Sequence, residues 1–576
     1  MAHADTRAAA TQPSRAKGPR AGLVIALVLA AAFMQLVDVS IVNVAVAEVQ
    51  QDLGTTYSQL QWVLAGYTLA FAALLVPGGR LGDRYGRKRM FLLGMTGFTI
   101  ASLLCGAAQT PGMLVGSRLL QGLTAALMYP QVYSVIQVTV PRKQRGAALG
   151  ALGGIIGLAA ITGPLVGGLL IQADLFHWGW RPIFLVNVPI GVVTVLLATR
   201  YLPESHADDP DPIDWFGVAL VTTSIGALVY PLVQGRDLGW PRWSLGMLVA
   251  GACGLLVFAV YEQYRERRGR APLIRMSLFK TRGFTGGLVL VLLFYGAFLP
   301  FFLIFSVYLQ AGLGHTALYT GVALVPYALG SGLGSGVSIA LAPRLGRNVL
   351  HIGLGLLIVG TCWIMWTVRQ HGAGLHTLQL LPSLLVAGLG FGLTVTPLVT
   401  LILAKVPARH AGSASGTLTT VQQFGSAVGI AVLGTLFFGM LGWHSNAVTT
   451  HQVPAISQQV SSTGLSLSDA AESIREYKDC FHDRASEKDA TATPASCRLM
   501  ETGMRKFHRG GEVAKILATS AKQAKQADFA WSVQRILFLQ VVLFAACFLI
   551  VFMLPKVQGE ELAEFEKQSQ DAVIIG

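Results

Sequence analysis

Long apolar stretches alternate with short polar segments along most of the chain. Each stretch has about 20 residues, enough to cross roughly 30 Å of hydrocarbon as a helix. Because every backbone amide inside lipid needs a hydrogen-bond partner, such stretches fold as helices. The pattern therefore predicts an all-α polytopic membrane protein. The fourteen predicted transmembrane spans are 22–46, 58–79, 89–108, 112–137, 147–172, 183–202, 213–234, 243–263, 284–310, 319–342, 349–368, 377–403, 412–440 and 531–555.

The basic residues between the spans predict the orientation. With the N-terminus inside, the inner segments hold 26 lysines and arginines, whereas the short outer loops hold four, Arg181, Arg236, Arg242 and Arg369. Positive charge is retained on the cytoplasmic side. Both termini are therefore expected to be cytoplasmic, with the chain in the cell membrane.

Composition fits this interpretation. The chain is 53% hydrophobic and only 12% charged, against about 25% charged in soluble proteins. The net charge of +14 follows mainly from the inner loops, so no nucleic-acid partner is predicted. Residues 1–21 are polar and rich in small side chains, which predicts disorder. They do not resemble a signal peptide, because the apolar run that follows is too long.

The chain contains a loose internal repeat. The segment that enters span 5, "PRKQRGAALGALGG", resembles "PARHAGSASGTLTT", which enters span 13. Two six-helix bundles with two inserted helices would explain this offset of eight spans, and repeated halves are common in transporters. The predicted domains are a cytoplasmic N-terminus, an N-terminal bundle, the inserted pair, a C-terminal bundle that includes an extracytoplasmic loop, and a cytoplasmic tail. Their bounds are 1–21, 22–202, 213–263, 284–555, 441–530 for the loop, and 556–576.

The connector "GGRLGDRYGRKRM", residues 79–91, combines glycines with charge. Its glycines would let helix ends approach closely, and its basic residues would face anionic headgroups. A topology signal alone would explain the basic residues, but it leaves Asp83 and the glycines unexplained.

Asp38 is an acid within span 1, where an unpaired charge costs roughly 2.5–3.5 kcal/mol on insertion scales. Arg118 in span 4 lies at a similar depth, within roughly 3 Å at 1.5 Å per residue. We expect the two to pair. Burial would raise the pKa of a carboxyl and a nearby arginine would lower it, so the pair could take up and release a proton. A permanent structural ion pair is the alternative.

Five motifs in chain order resemble the fourteen-helix drug:proton antiporter branch of the major facilitator superfamily, and the resemblance covers nearly the whole chain. Span 1 reads "LVDVSIVNVA", with Ser40 at the usual threonine, and "WGWRPIFLVNVPIG" precedes span 6. The helix 5 motif also departs from the family, with Ala159 at an expected glycine. The matching residues are Gly79, Leu81, Asp83, Arg84, Gly86, Arg87 and Lys88 in the first loop, Arg118, Gln121 and Gly122 in span 4, and Gly163, Pro164, Gly167 and Gly168 in span 5.

The resemblance implies an exporter of small amphipathic compounds, such as drugs, antibiotics or toxic metabolites, which exchanges them for protons by alternating access. It implies a cytoplasmic gate at Gly79, Asp83, Arg84, Gly86 and Arg87. In this gate, Asp83 would pair with a nearby arginine and with the start of helix 13. Span 5 would form the sealed interface that distinguishes antiporters from symporters.

Helical periodicity and the helices that line the cavity in this superfamily suggest a substrate cavity. Packing and anchoring at the membrane interface are alternative roles for each of its candidates. They are Trp62, Tyr67, Gln121, Tyr129, Tyr295, Phe298 and Gln422.

Cys480 and Cys497 fall in the long loop 441–530, which the topology places outside, where a disulfide is favourable. Free thiols are the alternative. Two amphipathic segments of this loop predict a small helical cap. It could shape the exit, dock a partner or be a tolerated insertion.

The sequence shows no metal-ligand spacing and no nucleotide-binding glycine loop, so no cofactor, metal site or enzymatic activity is predicted. The expected partners are protons, an amphipathic substrate and the lipid bilayer, and we expect the chain to function as a monomer. A proton symporter that imports a solute is an alternative. A membrane receptor that transports nothing is another.

Overall fold

The structure is a computed structural model that describes residues 19–140, 142–207, 212–403, 406, 411–487, 493–504 and 510–555. The predicted tail 556–576 and nearly all of the predicted N-terminal segment 1–21 lie outside these residues. Within the described residues, the chain forms sixteen α-helices of ten residues or more. They are α1 Pro19–Leu53, α2 Tyr57–Tyr85, α3 Arg87–Gly106, α4 Pro111–Thr139, α5 Arg142–Ala173, α6 Asn187–Tyr201, α7 Trp215–Leu238, α8 Arg242–Arg267, α9 Arg282–Val307, α10 Ala317–Leu345, α11 Asn348–His371, α12 Thr377–Leu403, α13 Ala411–Ser461, α14 Leu467–Ser486, α15 Ala495–Met504 and α16 Gly510–Ile550.

Local signals set several helix starts. Thr56 and Gln59 form a reciprocal capping box at the start of α2, which satisfies two backbone amides that the helix itself leaves free. Thr110, Asp214 and Thr316 accept comparable bonds at the starts of α4, α7 and α10. The short connectors are thus specified by polar residues between the apolar runs.

Twelve helices of the described chain are long and apolar enough to cross a membrane. They are α1–α3, α6–α13 and α16, where α6 is counted with the one-turn helix Pro182–Leu185 before it. Helices α4 and α5 have 29 and 32 residues, and α5 contains the shorter apolar stretch Ile161–Ala173. The count of fourteen spans therefore remains a prediction.

The helices pack in two groups. Helices α1–α6 contact one another, chiefly through α2 with α4, α3 with α4 and α1 with α5. Helices α9–α13 and α16 form the other group, in which α12 packs between α10 and α11. The groups meet where α5 touches α10 and α2 touches α13. Helices α7 and α8 pack on each other, and α7 contacts α2 and α13.

Residues 79–89 lie at one end of this bundle, which we call the basic end. Helices α14 and α15 lie beyond the opposite end, the cap end. Helix α13 runs on to Ser461 and α16 begins at Gly510, so both are much longer than the predicted spans 412–440 and 531–555. Most of the predicted loop 441–530 is therefore helical. Its apolar core includes Ile456, Val460, Tyr477, Val513 and Leu517.

Candidate transport site

Asp38 and Arg118 meet in the interior of the first helix group. Arg118 Nη1 donates to Asp38 Oδ2 at 2.5 Å. Asp38 is fully buried and Arg118 is only 1% exposed. Water cannot screen either charge here, so each depends on the other and on nearby dipoles.

Two side-chain amides complete the surroundings of the Asp38 carboxyl. Gln121 Nε2 and Asn187 Nδ2 donate to Asp38 Oδ1 at 2.8 and 2.9 Å. Gln121 also donates to Ser102 Oγ at 2.8 Å and accepts from Arg118 Nη1 at 2.7 Å. Helices α1, α3, α4 and α6 thus each supply one or more groups. The carboxyl thus accepts from three side-chain donors, one on Oδ2 and two on Oδ1.

The Arg118 guanidinium has further partners on α2. Its Nε donates to the Val63 carbonyl at 3.0 Å, and its Cζ lies 4.3 Å from the ring centroid of Tyr67. The Tyr67 hydroxyl accepts from Gln35 Nε2 at 3.0 Å. In this conformation these contacts hold the guanidinium against α2, where a cation over an aromatic face is stabilised.

Sequence reasoning missed Asn187 and Ser102. Asn187 lies within "WGWRPIFLVNVPIG", and an amide at the start of an apolar helix was the available signal. Ser102 gave no signal, because a serine in a membrane helix usually bonds its own backbone.

Two predicted cavity residues, Tyr295 and Phe298, lie in an aromatic cluster of the second helix group. The Phe298 ring stacks on Phe391 at 3.9 Å between centroids, and Tyr295 meets Phe298 edge-on at 6.4 Å. Tyr327 packs beside both Phe298 and Phe391. A small cavity of about 10 Å³ borders this cluster; its lining includes Phe298, Phe301, Tyr327, Thr361, Gln540 and Phe544.

The other candidates lie elsewhere. Tyr67 and Gln121 belong to the surroundings of Asp38, as described above. Tyr129 of α4 packs edge-on against Phe71 of α2 and against Tyr133 of its own helix. Trp62 lies 6.1 Å from Tyr230 of α7 between ring centroids, so it faces the inserted helices. Gln422 is half-buried on α13.

The glycines of the predicted antiporter motif pack α5 against two helices. A Cβ on Gly163 would collide with Ser40 Oγ, and one on Gly167 would lie 2.7 Å from Ile41 and Val44 side-chain atoms of α1. A Cβ on Gly168 would lie 2.6 Å from the Leu318 Cα of α10. The motif therefore joins α5 to α1 within one group and to α10 of the other group near the cap end.

Both departures from the family motifs meet in this packing. Ser40 Oγ donates to the Ala159 carbonyl at 3.2 Å, and Ala159 is 1% exposed. A hydrogen bond therefore joins the two positions at which the chain departs from the family motifs.

At the basic end, Asp83 pairs with an arginine of its own segment. Arg87 Nη2 donates to Asp83 Oδ1 at 2.8 Å, as the resemblance implied. The described contacts of Asp83 include none with α13, and the stretch before α13 at 407–410 lies outside the described residues. Arg84 lies beside the Tyr85 ring, 5.8 Å from its centroid.

The glycines of this segment differ from one another. Gly86 has φ +109, which favours glycine, and a Cβ on Gly82 would overlap the Gln131 amide. Gly79 has room for a Cβ, whose nearest neighbour would be Pro130 at 3.7 Å. Close approach of the helices is therefore needed at Gly82, but not at Gly79.

The sequence profile of the Major Facilitator Superfamily matches residues 28–430. The chain belongs to this superfamily. Members are transporters, so the arrangement around Asp38 is a candidate site within a transport protein.

Three relatives of this chain come from Streptomyces. The chain is 40% identical to the "Probable actinorhodin transporter" of Streptomyces coelicolor over 93% of its length and 92% of that protein. It is 34% identical to the puromycin resistance protein pur8 of Streptomyces alboniger over 73% and 82% of the two chains. For the tetracenomycin C resistance and export protein of Streptomyces glaucescens, the identity is 32% over 71% and 74%.

Solved major facilitator structures share the fold. A D-xylose-proton symporter matches with a TM-score of 0.52 at 15% identity, over 72% of this chain and 89% of that one. A transporter of the POT family in complex with a thioalcohol-conjugated peptide gives 0.52 at 16%, over 73% and 91%. The matches support the helix arrangement described above.

Proposed function

We propose that this protein exports small amphipathic compounds across the cell membrane in exchange for protons. The observation that carries the proposal is the buried Asp38 carboxyl, held by Arg118, Gln121 and Asn187. The named activities of the relatives, which include resistance to and export of antibiotics, support an exporter of the same kind of compound.

Asp38 would bind the coupling proton, with Arg118 as its counter-charge. In this proposal, the conformation in which Arg118, Gln121 and Asn187 all donate to Asp38 is the one that has released its proton. Movement of Arg118 away from Asp38 in another conformation would leave a buried carboxyl without a counter-ion, which favours proton uptake. Such a switch needs two arrangements of the helices rather than one fixed ion pair.

The two helix groups would be the halves that rock about this site, in a bundle of fourteen membrane helices with α7 and α8 as the inserted pair. The contacts of Gly168 with Leu318 and of Tyr57 with Phe438 hold the groups together at the cap end. At the basic end, Asp83 forms an ion pair with Arg87 of its own segment. We infer that this conformation is closed at the cap end. The basic end would face the cytoplasm, with both termini on that side. The functional unit would be a monomer.

The aromatic cluster around Phe298 would bind the apolar part of the substrate. Planar compounds stack on such rings, and an aromatic pair contributes about 0.5–1.5 kcal/mol beyond the area buried. We expect Phe298→Ala to weaken the binding of aromatic substrates about 3- to 10-fold. Phe538→Ala is the control, because Phe538 is 52% exposed on α16. Equal effects of both variants would contradict this assignment.

Accumulation of a fluorescent aromatic dye in cells tests the direction of transport. An exporter lowers accumulation relative to cells with the Asp38→Asn variant, and an uncoupler abolishes the difference. A symporter would raise accumulation, and a receptor would leave it unchanged. Either of these results would contradict export.

A further inference from the structure

Two buried carboxyls lie where α7 begins and α8 ends, at the basic end. Asp214 is 2% exposed and Glu262 is fully buried. Asp214 caps α7, because its Oδ1 accepts from the Gly217 amide at 3.0 Å. Neither residue has a described contact with the surroundings of Asp38, and the transport mechanism above does not use them.

One oxygen of each carboxyl accepts from described donors. Asp214 Oδ1 also accepts from the Tyr261 hydroxyl at 3.0 Å and pairs with Arg265 Nη1 at 3.3 Å. Glu262 Oε2 accepts from the Ile274 amide at 3.1 Å. The remaining oxygens, Asp214 Oδ2 and Glu262 Oε1, are buried and have no donor among the described groups.

These two remaining oxygens face the same space. A Cβ built on Gly217 would lie 2.5 Å from Asp214 Oδ2 and 2.7 Å from Glu262 Oε1. Two ionised carboxyls in this position would place two unbonded acceptors together, which costs free energy both by repulsion and by lost hydrogen bonds. A single proton between them would satisfy both atoms.

The charges around the pair also favour one proton. Within the part of the chain that the structure describes, Arg265 is the cation that pairs with these carboxyls, so two carboxylates would carry one negative charge more than this arginine balances. Arg80 donates instead to the carbonyls of Pro212 and Pro272. Glu266 binds Ser277, with Arg275 near it. One shared proton makes the group of Asp214, Glu262 and Arg265 neutral.

We propose that Asp214 and Glu262 form a second proton-binding site, in which the two carboxyls share one proton between Oδ2 and Oε1. The proton joins the start of α7 to the end of α8. Glu262 accepts from the Ile274 amide, and Arg80 of α2 donates to the carbonyls of Pro212 and Pro272. The shared proton therefore also helps to hold residues 271–275 and the inserted helices against α2, beside the predicted gate.

Infrared spectroscopy of the purified full chain in lipid nanodiscs tests the shared proton. The carbonyl band of a protonated carboxylic acid should disappear from the wild type as the pH rises. Glu262→Gln and Asp214→Asn should each remove this same band, because a shared proton needs both partners. Glu266→Gln, one turn away on α8, is the control and should leave the band in place.

Thermal unfolding gives a second measurement. An amide at 262 can donate to Asp214 Oδ2 at any pH, so Glu262→Gln should keep its Tm at a pH where the wild type has lost the band and several degrees of Tm. The proposal is wrong if the variant loses Tm over the same pH range as the wild type. It is also wrong if the band survives both substitutions, or if sodium ions rather than protons restore the Tm.

Discussion

The Arg118 guanidinium lies 2.5 Å from the Asp38 carboxylate, and both side chains are withdrawn from solvent between α1 and α4. A pair so deeply buried is either a fixed structural element or a switch. The two roles differ in whether transport is lost when the charge is removed but the fold is kept.

We expect Asp38→Asn to abolish proton-driven efflux and to leave substrate binding within a few-fold of the wild type. An amide has nearly the shape of a carboxylate but neither takes up nor releases a proton near neutral pH. Efflux from loaded vesicles and equilibrium binding of the same compound measure the two effects separately.

The double variant Asp38→Asn with Arg118→Gln is the matched control. The single change leaves a buried cation, which costs about 3–5 kcal/mol of stability, and the double change relieves most of this cost. Recovery of stability without efflux supports proton coupling by Asp38. If efflux recovers together with stability, the pair has only a structural role.

The contact between Ser40 and Ala159 predicts coupled substitutions. Ser40→Thr adds a methyl group to a side chain whose Oγ already lies close to Gly163 and to the Ala159 carbonyl, and overpacking typically costs about 1–3 kcal/mol. Ala159→Gly in the same protein should recover part of that loss. Thermal unfolding of the two single variants and the double variant measures the coupling, which we expect to exceed about 0.5 kcal/mol. Strictly additive changes would show that the two positions are independent.

Gly168→Ala should weaken closure at the cap end. Its Cβ would press on the backbone of Leu318, so α5 and α10 would have to separate. Spin labels on these helices near the cap end should report a larger population of separated distances. Gly332→Ala on α10 is the control, because nothing lies within 4 Å of that Cβ. A distance distribution unchanged in Gly168→Ala would disprove the role of this contact.

The cap should depend on its disulfide. Cys480 is bonded to Cys497 across 17 residues, and a loop of about this size gains about 3 kcal/mol from the cross-link. Reduction, or substitution of both cysteines by serine, should speed proteolysis between α14 and α15. Cleavage within the membrane helices should not change. Equal cleavage rates with and without the bond would contradict a stabilising role.

Much of the site could be predicted from the sequence, because depth in the membrane is linear in residue number along a helix. This reasoning brought Asp38 and Arg118 together. It could not find Asn187 or Ser102, whose places depend on how α3 and α6 are rotated against α1. Two contacts were predicted for Asp83. The one with Arg87 could be found from the sequence because Arg87 lies one helical turn away. A contact with the start of α13 depends on how the two helix groups are arranged.

The helix ends were harder to predict than the helices. Hydropathy falls after residue 440, so the prediction ended span 13 there, although α13 continues to Ser461. The extension is stabilised by packing against α14 and α16, which a hydropathy pattern does not contain. In the same way, the pairing of Asp214 with Glu262 joins residues from two helices and required the fold.

The most direct measurement is proton movement coupled to substrate export by the purified protein in sealed vesicles. With a pH-sensitive dye inside, addition of substrate to wild-type vesicles that hold a pH gradient should move protons opposite to the substrate, at a fixed ratio. Asp38→Asn vesicles should show no such signal. Substrate transport by the wild type without any change of internal pH, or an unaltered signal from Asp38→Asn, would contradict the account.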